Sequence, residues 1–175
     1  MNRLTIGLVL CAVVPGAGCS MPQRAYQPDQ DPTTLDDISF LHYLATVPVA
    51  TVDEGMQAIL LLTGERGQWP TFDQAYEELR RRGAVRTTWH LKSNQLLDKG
   101  TLAYMLRTVC DLPRGLSEVA AFRTGLGDRR YALKTCVHVG ILAYGLPREP
   151  VTGGELLSSL TRAEGFLESP SPDIP

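Results

Sequence analysis

The chain has few of the residues that usually carry chemistry. Of its 175 residues, three are histidine, four cysteine and two tryptophan. His42, His90 and His138 stand far apart, and Cys136 and His138 would fall on different faces of one helix. No Cys-x-x-Cys or His-Glu-x-x-His spacing occurs, so the common zinc motifs are excluded. Ser117-Glu118 and Ser158-Ser159 lack the Gly-x-Ser-x-Gly setting of a nucleophilic serine. Asp29, Asp31, Asp36 and Asp37 are interrupted by Pro32, with no glutamate spaced to close a calcium loop. No cofactor motif and no catalytic set is present. A formal charge of −2 gives no electrostatic basis for binding nucleic acid. Strand signals are sparse as well, Thr87 to Leu91 being the only short candidate. Long apolar runs are missing from all but one place, the N-terminus.

That one run has a definite order. Asn2-Arg3 is a positive start, Leu4 to Val14 is apolar apart from Thr5 and Gly7, and Pro15-Gly16-Ala17-Gly18 leads into Cys19. The run falls short of the ~20 residues that span a bilayer. Its position and flanks predict a secretory signal peptide over residues 1–18. Gly16-Ala17-Gly18-Cys19 resembles the bacterial lipobox, usually Leu-Ala/Ser-Gly/Ala-Cys, matching at Ala17, Gly18 and Cys19 and departing at Gly16. The resemblance implies cleavage before Cys19, a diacylglycerol on its thiol and an acyl chain on its new amine. More than one chain is what stable anchoring requires. Ser20 stands where an Asp tends to retain such proteins at the inner membrane of enteric bacteria. The periplasmic face of the outer membrane is therefore the expected site in a host with two membranes. Ordinary cleavage to a soluble exported protein is the alternative.

Removal of residues 1–18 leaves 157 residues, enough for one domain with a core. It deletes Arg3 and no acid, leaving 16 basic against 19 acidic residues and a charge of −3. Residues 19–32 are polar with three prolines and read as a flexible tether; 168–175 read as a disordered tail. The domain is then 33–167. Cys11 leaves with the signal, so Cys110 and Cys136 form an even pair in an oxidising compartment. They are a candidate disulfide or two small buried hydrophobes, and the lack of a facing register on their helices favours the second. Arg80-Arg81-Arg82 reads as cations complementing a helix C-terminus.

The domain is punctuated as a mainly α protein of five to six helices. Thr51-Val52-Asp53-Glu54, Thr71-Phe72-Asp73-Gln74 and Thr152-Gly153-Gly154-Glu155 are capping boxes, each placing an oxygen acceptor three residues before a Glu or Gln. Asp98 and Asp128 can cap two further helices, and a weaker helix covers Leu35 to Leu44. Gly64, Gly83 and Gly140 offer left-handed stops. Residues 114–127 are the least defined stretch, with a helical turn expected over Ser117 to Phe122.

Two helix-loop-helix stretches, about 72–110 and 129–166, read as one unit used twice. Gly83 matches Gly140, Gly100 matches Gly154, Leu102 matches Leu156 and Leu106 matches Leu160. Each has too little apolar surface to fold alone, so the two should pack together. The pattern of helix, glycine stop, apolar pair, loop and capped helix resembles the S-layer homology module. That family usually carries three units and binds cell-wall polysaccharide through the Arg of a Thr-Arg-Ala-Glu-like motif. At the matching positions this chain has Asp98-Lys99-Gly100-Thr101 and Thr152-Gly153-Gly154-Glu155, and Lys99 keeps the charge without the planar fork. Thr161-Arg162-Ala163-Glu164 spells the motif but falls mid-helix.

Trp69, before Pro70, and Trp89, before His90, either cover the core edge or form an exposed patch for a partner or a sugar ring. Lys99, in a helix first turn, is a third candidate contact and is expected to be exposed. Two functions follow from different classes. One is a lipid-anchored, noncatalytic envelope protein that reaches the membrane through Cys19 and engages a protein or cell-wall glycan. The other is an envelope hydrolase whose cleft gathers His90 with carboxylates.

Overall fold

A computed structural model describes residues 22–25, 31–113 and 127–168. The signal peptide, Cys19, the turn expected at Ser117 to Phe122 and residues 169–175 lie outside the described residues. Within them the protein is mainly α, with six helices: α1 (Asp37–Thr46), α2 (Val52–Leu62), α3 (Phe72–Arg81), α4 (Lys99–Val109), α5 (Asp128–His138) and α6 (Gly153–Glu168). None is long and apolar enough to cross a membrane.

The helix starts follow the local chemistry. Thr51 accepts from the Glu54 amide while Glu54 Oε2 accepts from the Thr51 amide, at 3.3 and 2.8 Å. Thr71 and Gln74 repeat this reciprocity at α3, as do Thr152 and Glu155 at α6. Asp98 Oδ1 accepts from the Thr101 amide at 2.6 Å. Each pairing satisfies amides that the first helical turn leaves orphaned. Gly64, Gly83 and Gly140 have φ of +73°, +74° and +79° and turn the chain out of α2, α3 and α5. At Gly83 and Gly140 the next two residues (Ala84-Val85 and Ile141-Leu142) drop into the core.

Three expectations are corrected. Gly127, at φ +80°, occupies the cap position of α5, so Asp128 becomes its first helical residue and pairs with Arg86 Nε at 2.6 Å. Thr87 to Leu91 is no strand: Thr87–Trp89 is a 3-10 turn and His90 is left-handed at φ +45°. Residues 22–25, placed in a flexible tether, instead pair with the loop before α4. The Leu96 amide donates to the Pro22 carbonyl and the Arg24 amide to the Asn94 carbonyl.

The architecture has three inner helices, termed the capped helices, and three outer ones, of which α1 and α3 have side-chain caps of their own at Asp36 and Thr71. α2, α4 and α6 all begin at one end of the molecule, and α2 packs on both others. Each outer helix leans on the capped helix before it in a cycle: α3 on α2, α5 on α4, and α1 on α6. The residue before each N-cap closes the same cycle through the backbone. Ala50 donates to the Val151 carbonyl (2.8 Å), Val151 to Leu97 (2.9 Å) and Leu97 to Ala50 (2.9 Å). A second tier follows two residues on, from Val52 to Gln95, Lys99 to Glu149 and Gly153 to Val47. Loop amides buried at the centre of the fold are thereby satisfied without a sheet. The pair α1–α2 enters this cycle of contacts and backbone bonds alongside α3–α4 and α5–α6. Below the ring, Phe40, Leu44, Met56, Ile59, Leu60, Leu79, Leu102, Met105, Leu106, Leu156 and Leu160 form one core.

Candidate functional site at the N-terminal end of the capped helices

Each capped helix starts with a carboxylate held by a cation from elsewhere in the chain. Glu54, 1% exposed, lies 2.7 and 2.9 Å from Arg24 Nη1 through its two oxygens and accepts from Tyr43. Asp98 Oδ2 lies 3.2 Å from Arg129 Nη1. Glu155 Oε1 lies 3.1 Å from Lys99 Nζ, which also meets Glu149 Oε1 at 2.8 Å. A carboxylate suits a helix N-terminus, where the helix dipole is positive. Hydrogen bonding to the Thr152 amide and to Lys99 holds Glu155 below the usual carboxylate range despite its burial. The buried Glu54 and Asp98 each have a cation and a backbone amide as partners, so neither carboxylate is left unpaired in the interior.

Lys99 is therefore corrected. It is 5% exposed because the 145–149 loop folds over the first turn of α4, with its amide on the Glu149 carbonyl and the Gly100 amide on the Pro147 carbonyl. Its ammonium is paired with Glu149 of that loop and with Glu155 of α6. Trp69 is half-buried at the core edge, and its carbonyl accepts from Gln57 Nε2 at 3.1 Å. Cys110 and Cys136 are free, buried thiols, pushed up by burial to about 11 and about 12. The basic run Arg80-Arg81-Arg82 pairs within and beside its helix, with Glu77, Glu78 and Glu65.

Trp89 has a different setting. Its ring packs edge-on against Tyr104 with centroids 4.8 Å apart, and the Arg129 guanidinium lies over it at 4.2 Å. Arg130, Pro147 and Arg148 complete an open recess of about 320 Å³ with Trp89, Gly127, Asp128 and Arg129. Burial lowers the Arg129 pKa; Asp98 opposes that and nearby Arg148 adds to it. The recess thus joins an aromatic face to clustered guanidinium groups, a combination that binds anions and sugar rings. Arg129, Arg130 and Arg148 went unseen in the sequence because Trp89 and Arg130 stand 41 positions apart and a further loop brings in Arg148. The three histidines remain on separate elements. Among the described residues no group of three His, Cys, Asp or Glu side chains is arranged to hold a metal ion.

No protein-family model matches the chain, and no curated protein or solved structure matches it significantly.

Proposed function

We propose that the chain is a lipid-anchored cell-envelope protein with a noncatalytic binding role, and that it takes an acidic cell-wall polymer at the Trp89 recess. The observation that carries this reading is the stacking of Arg129 on Trp89 beside Arg130 and Arg148 in an open recess. The stacked Arg129 is held in place by Asp98, so part of the site is ordered before any partner arrives. Exposed Arg130 and Arg148 can supply charge to carboxylates or phosphates without breaking a core contact. The signal sequence and Cys19 support an envelope location. The resemblance to S-layer homology units, together with three capped helices meeting at one end, supports a wall polymer as the class of partner.

Cosedimentation tests the binding. The unlipidated mature chain should pellet with purified cell walls and lose most of that binding once anionic polymers are extracted from them. Arg148→Ala with Arg130→Ala should weaken binding about tenfold, as loss of arginine anchors does at other interfaces. Chains that stay in the supernatant at tens of micromolar would refute the reading. Anchoring is tested separately: radiolabelled palmitate should enter the protein and be lost with Cys19→Ala.

A further inference from the structure

The segment next to Cys19 is built into the fold. Gln23 pairs antiparallel with Gln95, and Asn94 Nδ2 donates to Gln23 Oε1 at 3.3 Å. Arg24 then reaches inward to the buried Glu54, the one cap carboxylate whose cation comes from before the domain. Two residues, Ser20 and Met21, separate Cys19 from Pro22, so the three chain steps reach at most ~10 Å. A lipid on Cys19 thus cannot stand far from the loop 92–96, at the end where the capped helices begin.

That end also carries unusual surface. Tyr144 is 86% exposed and Leu146 68%, one residue apart and among the few large hydrophobics so exposed. Gly145, between them, sits against Lys99, where a β-carbon would lie 2.8 Å from the ammonium, so the pair flanks the first turn of α4. Lys92 is exposed beside the paired 93–96 loop. Tyrosine suits the interfacial layer of a bilayer, and a lysine near the surface is drawn to anionic headgroups.

We infer that the docked segment holds this end of the domain against the bilayer, with Lys92 at anionic headgroups and Tyr144 and Leu146 in the interfacial layer. The inference rests on lipidation of Cys19. It gives the protein a fixed orientation in place of a long leash. The Trp89 recess is lined by Pro147 and Arg148 of the loop over α4 and adjoins its cap Asp98 through Arg129, so it lies near the same end.

The test holds the anchor by construction. The mature chain is coupled through the Cys19 thiol to maleimide lipid in phosphatidylethanolamine–phosphatidylglycerol vesicles; Cys110 and Cys136 are buried and do not compete. Hydrogen exchange is compared with that of the same chain capped by N-ethylmaleimide in solution. Loops 92–96 and 143–148 should exchange about fivefold more slowly on vesicles, with α3 unchanged. Twelve Gly/Ser residues inserted between Ser20 and Pro22 extend the leash by ~20 Å without touching the domain, and should abolish the protection. Tyr144→Ser with Leu146→Ser should reduce it. Equal exchange on vesicles and in solution, protection of another face, or protection that survives the insertion would each overturn the inference. Absence of palmitate from Cys19 in cells would instead remove the anchor, and is read independently of the vesicle result.

Discussion

Gly153 and Gly154 are adjacent, begin the same helix, and should respond to alanine with opposite signs. Gly153 lies where α6 meets the end of α1. A β-carbon there would fall 1.9 Å from the Leu44 carbonyl oxygen, 2.8 Å from that of Val47 and 3.0 Å from Val47 Cβ. Two of these are backbone atoms with bonds of their own: Val47 donates to the Leu44 carbonyl, and Gly153 donates to Val47 in the second tier of the ring. No rotamer change relieves the contact, so α1 and α6 must separate by roughly 1 Å or more. Overpacking of this kind costs ~1–3 kcal/mol, and loss of the Gly153–Val47 hydrogen bond adds ~1 kcal/mol. Gly153→Ala should therefore destabilise by about 3 kcal/mol. Gly154 has nothing within 4 Å of its β-carbon position. Its alanine variant should gain ~0.5 kcal/mol from the lower entropy of the unfolded chain and better helix propensity. The chemical change is identical, so unfolded-state effects cancel in the comparison. Urea unfolding of the unlipidated mature chain, followed by far-ultraviolet circular dichroism, reads both. Equal midpoints for the two variants would refute the close approach of α1 and α6.

Three further outcomes are expected. Arg24→Ala leaves the buried Glu54 without its cation and should cost ~3 kcal/mol, with Glu54→Gln in the same chain restoring part of it; an unchanged midpoint would mean that residues 22–25 are not docked. Asp53 is pushed up from 3.8 to about 6, first by burial and then by Glu54 and Asp31. The folded state therefore keeps a proton that the unfolded state releases between pH 4 and 6, and stability from this group falls as pH rises through that window. Asp53→Asn should gain ~1 kcal/mol at pH 7 and nothing below pH 4, discounted for partial exposure and for the helix dipole; a gain independent of pH would contradict the assignment. With pKa values of about 11 and about 12, Cys110 and Cys136 should resist iodoacetamide at pH 8 until the protein unfolds, and intact mass should not change on reduction; rapid alkylation of the native protein would show them accessible.

What the sequence disclosed was what short-range chemistry encodes. The caps at Thr51, Thr71, Asp98 and Thr152 are legible because acceptor and amide lie three residues apart. The stops at Gly64, Gly83 and Gly140 are legible because a left-handed residue favours glycine. At Asp128 the same reasoning slipped by one residue, since Gly127-Asp128 offers two cap candidates and the glycine already had the required φ. Lys99 was misplaced because its exposure depends on the 145–149 loop, nearly 50 residues away. The helix pairs α3–α4 and α5–α6 could be matched in the sequence by their long connections. The pair α1–α2 turns through only a few residues after Thr46 and shows no such loop, although Thr51-Val52-Asp53-Glu54 has the spacing of Thr152-Gly153-Gly154-Glu155. The ring itself left no trace. Its bonds run between backbone groups of Ala50, Leu97 and Val151, and a backbone bond asks only that its residue be neither proline nor too large for the centre.

The ring also explains why the candidate site lies where it does. Three helix N-termini brought to one point concentrate positive ends of helix dipoles, and each is answered by a carboxylate at its first turn. Those carboxylates, two of them buried, then call for cations, which arrive as Arg24, Arg129 and Lys99 from three different segments. Lys99 is consumed in pairing with Glu149 and Glu155, and Arg24 in tying the N-terminal segment to the domain. Arg129 alone lies over an aromatic ring at an open surface, because Trp89 in the long α3–α4 connection reaches it there. The asymmetry comes from the unequal connections: the short turn before α2 has no room for a tryptophan, and the loop before α6 offers Arg148 in its place. The cycle of α2, α4 and α6 thus has the same capping chemistry at all three helices, while one of its edges carries the groups suited to a partner.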